Sequence, residues 1–357
     1  MARFRKIPAL MLALNPAVIL ALIPALILAA AATPALAQDA QTFFKDKQIR
    51  IIVGSAAGGG YDVNARALVR HYGRHIPGAP TFVVQTLVGA GSIALGNVMQ
   101  GSTPRDGTVI GSPINGMPTS VLFTPEVTKY DPEKFIWIGS SNRETQVSYS
   151  WHASGIRSLE DLKTRDYLAG ATAPGTTQVD YPLVAAALFG LRYKVISGYK
   201  STTDIHLAME RGEVEGMGSN GWLSLKTLHE DWVRDKKIHL LVQFNFEANK
   251  EIPDVPTIFT LAKTEAERQA LALMVARLEY GRPFFLPPDV PADRVAVLRR
   301  AFDATMKDPE FLAEAEKLKL DIDPLTGEKV QDLIKSVMAT PPEVVARVKK
   351  ALEGGGK

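Results

Sequence analysis

The sequence predicts an α/β protein whose strands form largely parallel sheets covered by helices. Two observations carry this prediction: short β-rich runs alternate with amphipathic helical segments, and glycine-rich loops join several strands to the helix that follows. The chain has 357 residues. It is long enough for two domains, because single hydrophobic cores stop growing near ~250–300 residues. In sheets of this class ligands bind beyond the carboxyl ends of the strands.

The first part of the chain repeats a unit of strand, loop and helix. Apolar side chains recur at helical spacing after the first glycine-rich loop, which predicts an amphipathic helix there. The turn Asp106-Gly107 separates a later helix from the strand that follows. The predicted elements are, in order, a strand at 48–53, a loop at 54–60, a helix from Tyr61 to Ile76, a strand at 81–86, the loop 89–92 with a helix through Met99, and a strand at 108–111.

The pattern restarts near Trp137. Ser158 and Asp161 have the spacing of a helix-opening capping box. Several strands and helices follow, without an internal sequence repeat. They are predicted as strands at 167–173, 193–197, 212–218 and 239–244, a helix at 201–210, an amphipathic helix carrying Trp222 and Trp232, and later helices that include 291–306 and 341–352.

The N-terminus has the features of a targeting segment. Arg3, Arg5 and Lys6 precede an apolar stretch, and Ala35-Leu36-Ala37 has the small-x-small form that a signal peptidase recognises. We therefore expect residues 1–37 to be a signal peptide that is cleaved after Ala37. An uncleaved membrane anchor is the alternative, since the apolar run is longer than a usual signal core.

Composition excludes several functions. The chain has 41 Lys+Arg and 38 Asp+Glu, and residues 1–37 contain three basic and no acidic side chains, so 38 of each remain after cleavage. A neutral body without a basic block argues against nucleic acid or an anionic membrane surface as the main partner. The chain has no cysteine, which excludes disulfides, thiolate nucleophiles, zinc-thiolate sites and a lipid-anchored lipoprotein.

A set of short motifs carries a family resemblance. They stand in a specific order and spacing: Gln48-Ile49-Arg50-Ile51-Ile52-Val53, Gly58-Gly59-Gly60-Tyr61-Asp62, Gly89-Ala90-Gly91-Ser92, Pro104-Arg105-Asp106-Gly107-Thr108, Ile252-Pro253-Asp254-Val255-Pro256-Thr257, Leu286-Pro287-Pro288 and Asp308-Pro309-Glu310. With these motifs the chain resembles the Bug receptors, the periplasmic solute-binding proteins of tripartite tricarboxylate transporters. It departs from the commoner pattern at Ser55-Ala56-Ala57, where prolines often stand, and at Thr172–Thr177.

The resemblance implies a two-lobed periplasmic-binding-protein fold of the Venus-flytrap type II class, each lobe a central β-sheet flanked by helices. Lobe one would comprise 38–142 and 249–357, and lobe two, inserted between them, 143–248. The chain would cross between lobes near Ser140–Arg143 and again near Phe244–Asn249. A receptor of this family captures a small carboxylate, either a di- or tricarboxylate or an aromatic carboxylate.

The same resemblance implies the protein's partners and location. The receptor would deliver its ligand to a permease with one large and one small transmembrane subunit. It would be a soluble periplasmic monomer, not an enzyme, without a cofactor or metal.

The residues themselves agree with anion capture. A helix N-terminus exposes unpaired N–H groups and a partial positive charge, so a glycine-rich loop that leads into a helix suits a carboxylate. The expected ligand-binding residues are Ser55, Gly59, Gly60, Tyr61, Asp62, Ala90, Gly91, Ser92, Asn115, Thr172, Gly175, Thr176, Thr177, Lys200, Ser201, Ser219 and Asn220. The loops at 58–62, 89–92 and 175–177 contain no Arg or Lys, so we expect backbone N–H groups and hydroxyls, rather than a buried arginine, to hold the carboxylate.

Structural roles for these residues stay open at this point. The glycines are also consistent with ordinary turns. Asp62, Thr176 and Thr177 stand where helix caps are expected, and Ser201 to Thr203 have the same ambiguity. Lys200 is either a charge partner or a solvated side chain.

Enzyme motifs are weak. His71 and His75 have i, i+4 spacing, but the Glu of an H-E-x-x-H motif is absent, so surface histidines are the better interpretation. Gly54 to Asp62 lacks the Lys-Ser/Thr ending of a P-loop, Gly58-Gly59-Gly60 is not the G-x-G-x-x-G dinucleotide pattern, and no G-x-S-x-G pattern is present. Two alternatives remain: a secreted α/β hydrolase with a distant Ser–His pair, and a receptor that reports its ligand to a membrane sensor kinase.

Overall fold

A computed structural model describes residues 42–172 and 175–353. The predicted signal peptide, 1–37, lies outside the described residues. The described part contains eleven strands: β1 Gln48–Val53, β2 Thr81–Thr86, β3 Val109–Ser112, β4 Ile136–Ser140, β5 Gln146–Trp151, β6 Tyr167–Gly170, β7 Tyr193–Ile196, β8 Gly216–Gly221, β9 Ile238–Phe244, β10 Pro283–Leu286 and β11 Leu325–Thr326.

Thirteen α-helices lie in the same described ranges. Four begin with a side-chain cap, as at Thr264, which forms a capping box with Glu267. The helices are α1 Gly60–Tyr72, α2 Ile93–Gly101, α3 Ser120–Phe123, α4 Asp161–Thr164, α5 Thr177–Phe189, α6 Thr202–Glu210, α7 Trp222–Leu228, α8 Glu230–Arg234, α9 Glu265–Glu279, α10 Ala292–Thr305, α11 Pro309–Lys317, α12 Gly327–Met338 and α13 Pro342–Glu353.

The strands form two separate sheets. The first has the order β11-β4-β10-β3-β1-β2, in which β2, β1 and β3 are parallel and β10 and β11 are antiparallel to their neighbours. The second has the order β7-β6-β8-β5-β9, in which β7, β6 and β8 are parallel. Helices flank each sheet, and the predicted fold class, a two-lobed α/β fold with a central sheet in each lobe, is confirmed. Each sheet together with its flanking helices is called a layer below.

Strand β1 shows why the first sheet is covered on both faces. Ile49, Ile51 and Val53 pack in one core with side chains of α1 and α10. Ile52 belongs to a second core, which includes Leu95 of α2. An apolar run without strict alternation is what a doubly covered parallel strand requires.

Segments that follow β9 still pack with the second sheet. Strand β9 ends at Phe244, but residues that follow it, such as Ile258 and Leu271, share a core with the second sheet and α5. Val344 and Val348 of α13 join the same core. The lobe limits 38–142, 143–248 and 249–357 stay a prediction, and this packing favours a return near β10.

Two segments, 142–144 and 278–281, lie side by side between the sheets. The Glu144 N–H donates to the Leu278 carbonyl at 2.8 Å, and the Gly281 N–H donates to the Asn142 carbonyl at 3.1 Å. A Cβ on Gly281 would lie 2.6 Å from Asn142 Oδ1, so a larger residue would have to displace the Asn142 side chain. The two segments thus form a paired connection, which is the arrangement expected of a hinge.

Within the described ranges, no helix is long and apolar enough to cross a membrane.

Candidate functional site

A cavity of about 1110 Å³ opens between the two sheets. Three of the predicted ligand-binding residues line it: Gly60, Thr177 and Asn220. Gly60 begins α1 and Thr177 begins α5. The N-terminal ends of two helices, one from each layer, therefore meet at this cavity, and each brings unpaired N–H groups and a partial positive charge.

The other predicted residues do not line this cavity, and several are held in internal hydrogen bonds. They are Ser55, Gly59, Tyr61, Asp62, Ala90, Gly91, Ser92, Asn115, Thr172, Gly175, Thr176, Lys200, Ser201 and Ser219. Their contact with a ligand stays a prediction.

Ser92 joins three loops of the first sheet. Its hydroxyl donates to the Gly54 carbonyl at 3.0 Å and accepts from the Ile114 N–H at 2.9 Å, and the side chain is fully buried. Ala90 and Gly91, in the same turn, are exposed. The backbone of this turn is therefore available to solvent, whereas the Ser92 hydroxyl has a structural role.

Tyr61 and Asn115 are linked in the same way. The Asn115 N–H donates to the Tyr61 hydroxyl at 3.0 Å. Burial raises the pKa of Tyr61 to about 12, so the phenol stays neutral at physiological pH. The guanidinium carbon of Arg282 lies 4.2 Å from the Tyr61 ring centroid, in cation–π geometry.

The Asp62 carboxylate accepts a hydrogen bond from the first glycine-rich loop. Its Oδ2 accepts from the Gly58 N–H at 2.8 Å and from Arg66 Nε at 2.9 Å. The hydrogen bond from Arg66 is the main reason that the pKa of Asp62 is lowered. Asp62 is therefore not the N-cap of α1, a position that Gly59 takes without a side-chain cap. Its carboxylate instead occupies one N–H group of the preceding loop.

The loop before α5 has an equivalent internal carboxylate. The Gly175 N–H donates to Asp180 Oδ1 at 3.2 Å, and Gly175 has a φ of +83°, which favours glycine. Thr176 is the N-cap residue, and its carbonyl accepts from the Asp180 N–H at 2.8 Å. The Thr172 N–H and hydroxyl both donate to Gln178 Oε1.

Gln146 is the centre of a hydrogen-bonded group of polar side chains on the second sheet, called the polar floor below. Its Oε1 accepts from the Ser219 hydroxyl at 2.9 Å and from the Thr177 hydroxyl at 3.4 Å. Asn220 Nδ2 donates to the Tyr149 hydroxyl at 3.3 Å. Gln146, Thr177 and Asn220 all line the cavity, so this polar floor faces the cavity.

Lys200 and Ser201 lie on an exposed loop after β7. The Ser201 hydroxyl accepts from the Asp204 N–H at 3.2 Å, which makes it the N-cap of α6. Of the alternatives considered from the sequence, the structure shows the helix cap for Ser201 and an exposed side chain for Lys200.

Arg277 is a functional candidate that the sequence did not indicate. It lies in the last turn of α9, and Nε donates to the Tyr181 hydroxyl at 3.2 Å while Nη2 donates to Asp180 Oδ2 at 3.4 Å. Burial raises the pKa of Asp180, and Arg277 counteracts this rise. A Cβ on Gly116, in the loop after β3, would lie 3.8 Å from Nη1. The guanidinium therefore stands between the two layers.

Arg282 lies at the cavity, beside Gly60 of the first layer. Its Nη1 donates to Glu144, and Nη2 would lie 3.4 Å from a Cβ on Gly60. Arg282 and Glu144 both line the cavity. Because Arg277 and Arg282 come from one short segment far from the glycine-rich loops, no local motif marks them in the sequence.

His71 and His75 have structural partners. His71 Nε2 contacts Glu314 Oε2, and His75 Nε2 lies 2.7 Å from Asp308 Oδ2. His71 is buried, so the prediction of two surface histidines is wrong for it, because α11 covers that face of α1. In the described part of the chain, no group of three or more His, Asp or Glu side chains suits a metal ion.

A buried histidine below the polar floor predicts acid sensitivity. His206 Nε2 lies 2.9 Å from the Tyr149 hydroxyl, and burial lowers the pKa of His206 to about 4, with His229 adding to the effect. Between the ordinary value of 6.5 and pH 4, the unfolded chain binds a proton here that the folded chain does not. Stability should therefore fall with decreasing pH in this window, by about 1.4 kcal/mol per pH unit from this group.

Denaturant unfolding at pH 7 and pH 5 tests this expectation. His206→Gln should lose less stability on acidification than the wild type, whereas the exposed His152→Gln should behave as the wild type does. Equal acid sensitivity in all three proteins would contradict the assignment to His206.

Solved structures resemble this chain closely in fold. A TctC solute-binding protein from Polaromonas matches with a TM-score of 0.66 and 18% identity, over 86% of this chain and 98% of that one. The periplasmic binding protein BugD matches with a TM-score of 0.57 and 17% identity, over 88% and 99%. MatC from Rhodopseudomonas palustris, solved with bound malate, matches with a TM-score of 0.56 and 16% identity, over 86% and 99%. No protein-family model and no curated protein matches the chain.

The two sheets and the cleft between them define a periplasmic-binding-protein fold. Within that class, the chain has the fold of the TctC and Bug solute-binding proteins. The fold implied by the sequence motifs is thereby confirmed over nearly the whole length of these relatives.

Proposed function

We propose that the protein is a solute receptor that binds a small carboxylate in the cleft between its two sheets. The observation that carries this proposal is the convergence of two helix N-termini, at Gly60 and Thr177, with the Arg282 guanidinium at one cavity. The Arg277 guanidinium lies between the same two sheets, beside Asp180 of α5. Helix N-termini and arginine are the two protein groups best suited to a carboxylate. Malate in the MatC structure is a ligand of this chemical class.

The wider role follows from the fold and the N-terminal sequence. We infer that the protein is exported, is cleaved after Ala37 and works in the periplasm as a monomer without enzymatic activity. It would pass its ligand to a tripartite tricarboxylate-type permease with one large and one small membrane subunit. The hydrolase alternative gains no support from Ser92, because its hydroxyl is held by Gly54 and Ile114.

A thermal-shift screen of the purified protein tests the proposed function. The panel should contain aliphatic mono-, di- and tricarboxylates, aromatic carboxylates and matched uncharged amides. A ligand present at about 100 times its Kd adds about 2.7 kcal/mol of stability, which is a measurable rise in Tm. Stabilisation by one or more carboxylates is expected, and a panel in which no carboxylate raises the Tm would contradict the proposal.

A further inference from the structure

Two buried arginines between the sheets are each already accompanied by a carboxylate. Arg282 and Glu144 line the cavity, whereas Arg277 and Asp180 lie between the sheets without lining it. The side chains of Arg277 and Asp180 are 13% and 11% exposed, and those of Arg282 and Glu144 are 21% and 19% exposed. Each pair is formally neutral. These two pairs therefore supply no excess positive charge between the sheets, which a ligand with several carboxylates requires.

The wall of the cavity repeats this balance. Six basic and six acidic side chains line it. The acidic groups also lie near one another: burial raises the pKa of Glu279, Arg143 opposes that rise, and neighbouring Asp323 and Glu247 add to it. Two unpaired carboxylates brought into such a site would add repulsion to their desolvation cost.

One nitrogen of the Arg277 guanidinium nevertheless remains available as a hydrogen-bond donor. Arg277 uses Nε for Tyr181 and Nη2 for Asp180, while Nη1 makes no hydrogen bond to any residue that the structure describes. This nitrogen is turned toward Gly116 in the first layer. A single carboxylate placed between the layers would accept from Nη1 and bridge them.

We propose that the cleft selects ligands with one uncompensated negative charge and that Arg277 anchors that carboxylate. This inference rests on the proposed carboxylate-binding function. The preferred ligand class is then a monocarboxylate whose remaining polar groups are uncharged or zwitterionic, and Asp180 and Glu144 are the groups that discriminate against a second carboxylate.

Isosteric ligand pairs test the proposal without a change in ligand size. Succinate is compared with succinamate, and glutarate with glutaramate, by calorimetric titration at pH 7.5. In each pair one carboxylate is replaced by a carboxamide of the same shape. The monoamide is expected to bind at least about tenfold more tightly, because it brings no second charge into a neutral site.

Variants of the internal acids should change this preference. Asp180→Asn is expected to shift the ratio of the two Kd values by about tenfold toward the dicarboxylate. Glu144→Gln should shift it in the same direction, and it keeps the test intact if Asp180→Asn fails to fold. Asp166→Asn, which removes an exposed acid paired with Arg192 elsewhere on the second layer, is the matched control and should leave the ratio unchanged.

The outcomes separate the two proposals. If a dicarboxylate binds as tightly as its monoamide or more tightly, or if neither acid variant shifts the ratio, the charge inference is wrong and the carboxylate-binding function stands. If no carboxylate or monoamide binds the wild-type protein, the proposed function fails and the inference fails with it.

Discussion

Arg277→Gln is expected to weaken binding of the best carboxylate ligand at least about tenfold. The physical reason is the loss of a charged donor, since a hydrogen bond to a charged group contributes ~1.5–3 kcal/mol. Glutamine retains much of the length of the side chain but removes the positive charge that lies between the two layers. Calorimetric titration measures the effect, and unfolding of the same sample establishes that the variant is folded.

Two comparisons define what this result means. Arg192→Gln removes an exposed arginine whose Nε lies 2.7 Å from Asp166, and it should leave the Kd unchanged. Thr177→Val and Gly175→Pro disturb the loop before α5 and test the sequence-based expectation that backbone groups and hydroxyls dominate. If these loop variants abolish binding while Arg277→Gln does not, the arginine account is wrong and the helix-terminus account is correct.

Asp308→Ala is expected to lower the free energy of unfolding by about 2 kcal/mol. Asp308 is the N-cap of α11, where it accepts from the Glu310 N–H at 2.9 Å. It also accepts from Arg74 Nε at 2.8 Å and lies 2.7 Å from His75 Nε2. Arg74 and His75 follow shortly after the end of α1, and their contacts with Asp308 are called the Asp308 clasp. The clasp therefore holds the helix whose first residue, Gly60, lines the cavity.

Chemical denaturation of the variant and of Glu310→Gln tests this role. Glu310 also contacts Arg74, but its side chain is 74% exposed, so its loss should change stability by less than about 0.5 kcal/mol. Equal effects of the two substitutions would contradict a special role for Asp308.

The clasp also predicts a dependence on pH. Burial alone would raise the pKa of Asp308, but hydrogen bonds from Arg74 and His75 outweigh it and hold the pKa well below the ordinary value of 3.8. The contribution is present above that value and is lost as the pH falls through the folded-state pKa. The difference between wild type and Asp308→Ala should therefore shrink below about pH 4.

Local patterns in the sequence were sufficient for several elements of the fold, whereas β5, β10 and α9 were not predicted. Strand β1 and helix α1 follow from a β-rich run, glycines and apolar residues at helical spacing, all of which act over a few residues. The partner of a helix is not local information. The sequence of α9 or α13 shows an apolar face, but it does not show that this face packs on the second sheet rather than the first.

The same limit applies to the cleft. Gly60, Thr177 and Asn220 were predicted because strand ends and glycine-rich loops mark them, and they line the cavity. Arg277 and Arg282 were missed because tertiary packing alone brings the end of α9 and the segment before β10 to those loops. Ser92 was chosen for its place in a loop, yet packing against Gly54 and Ile114 turns its hydroxyl inward.

Small-angle X-ray scattering tests the central claim most directly, which is that a carboxylate binds between two layers joined by a paired hinge. The wild-type protein is measured alone and with a saturating concentration of the best carboxylate from the thermal-shift panel, with its uncharged amide as the control. We expect the carboxylate to lower the radius of gyration and the amide to leave it unchanged, because closure buries the ligand between the layers. An unchanged radius of gyration at saturating carboxylate would contradict binding by closure of the cleft.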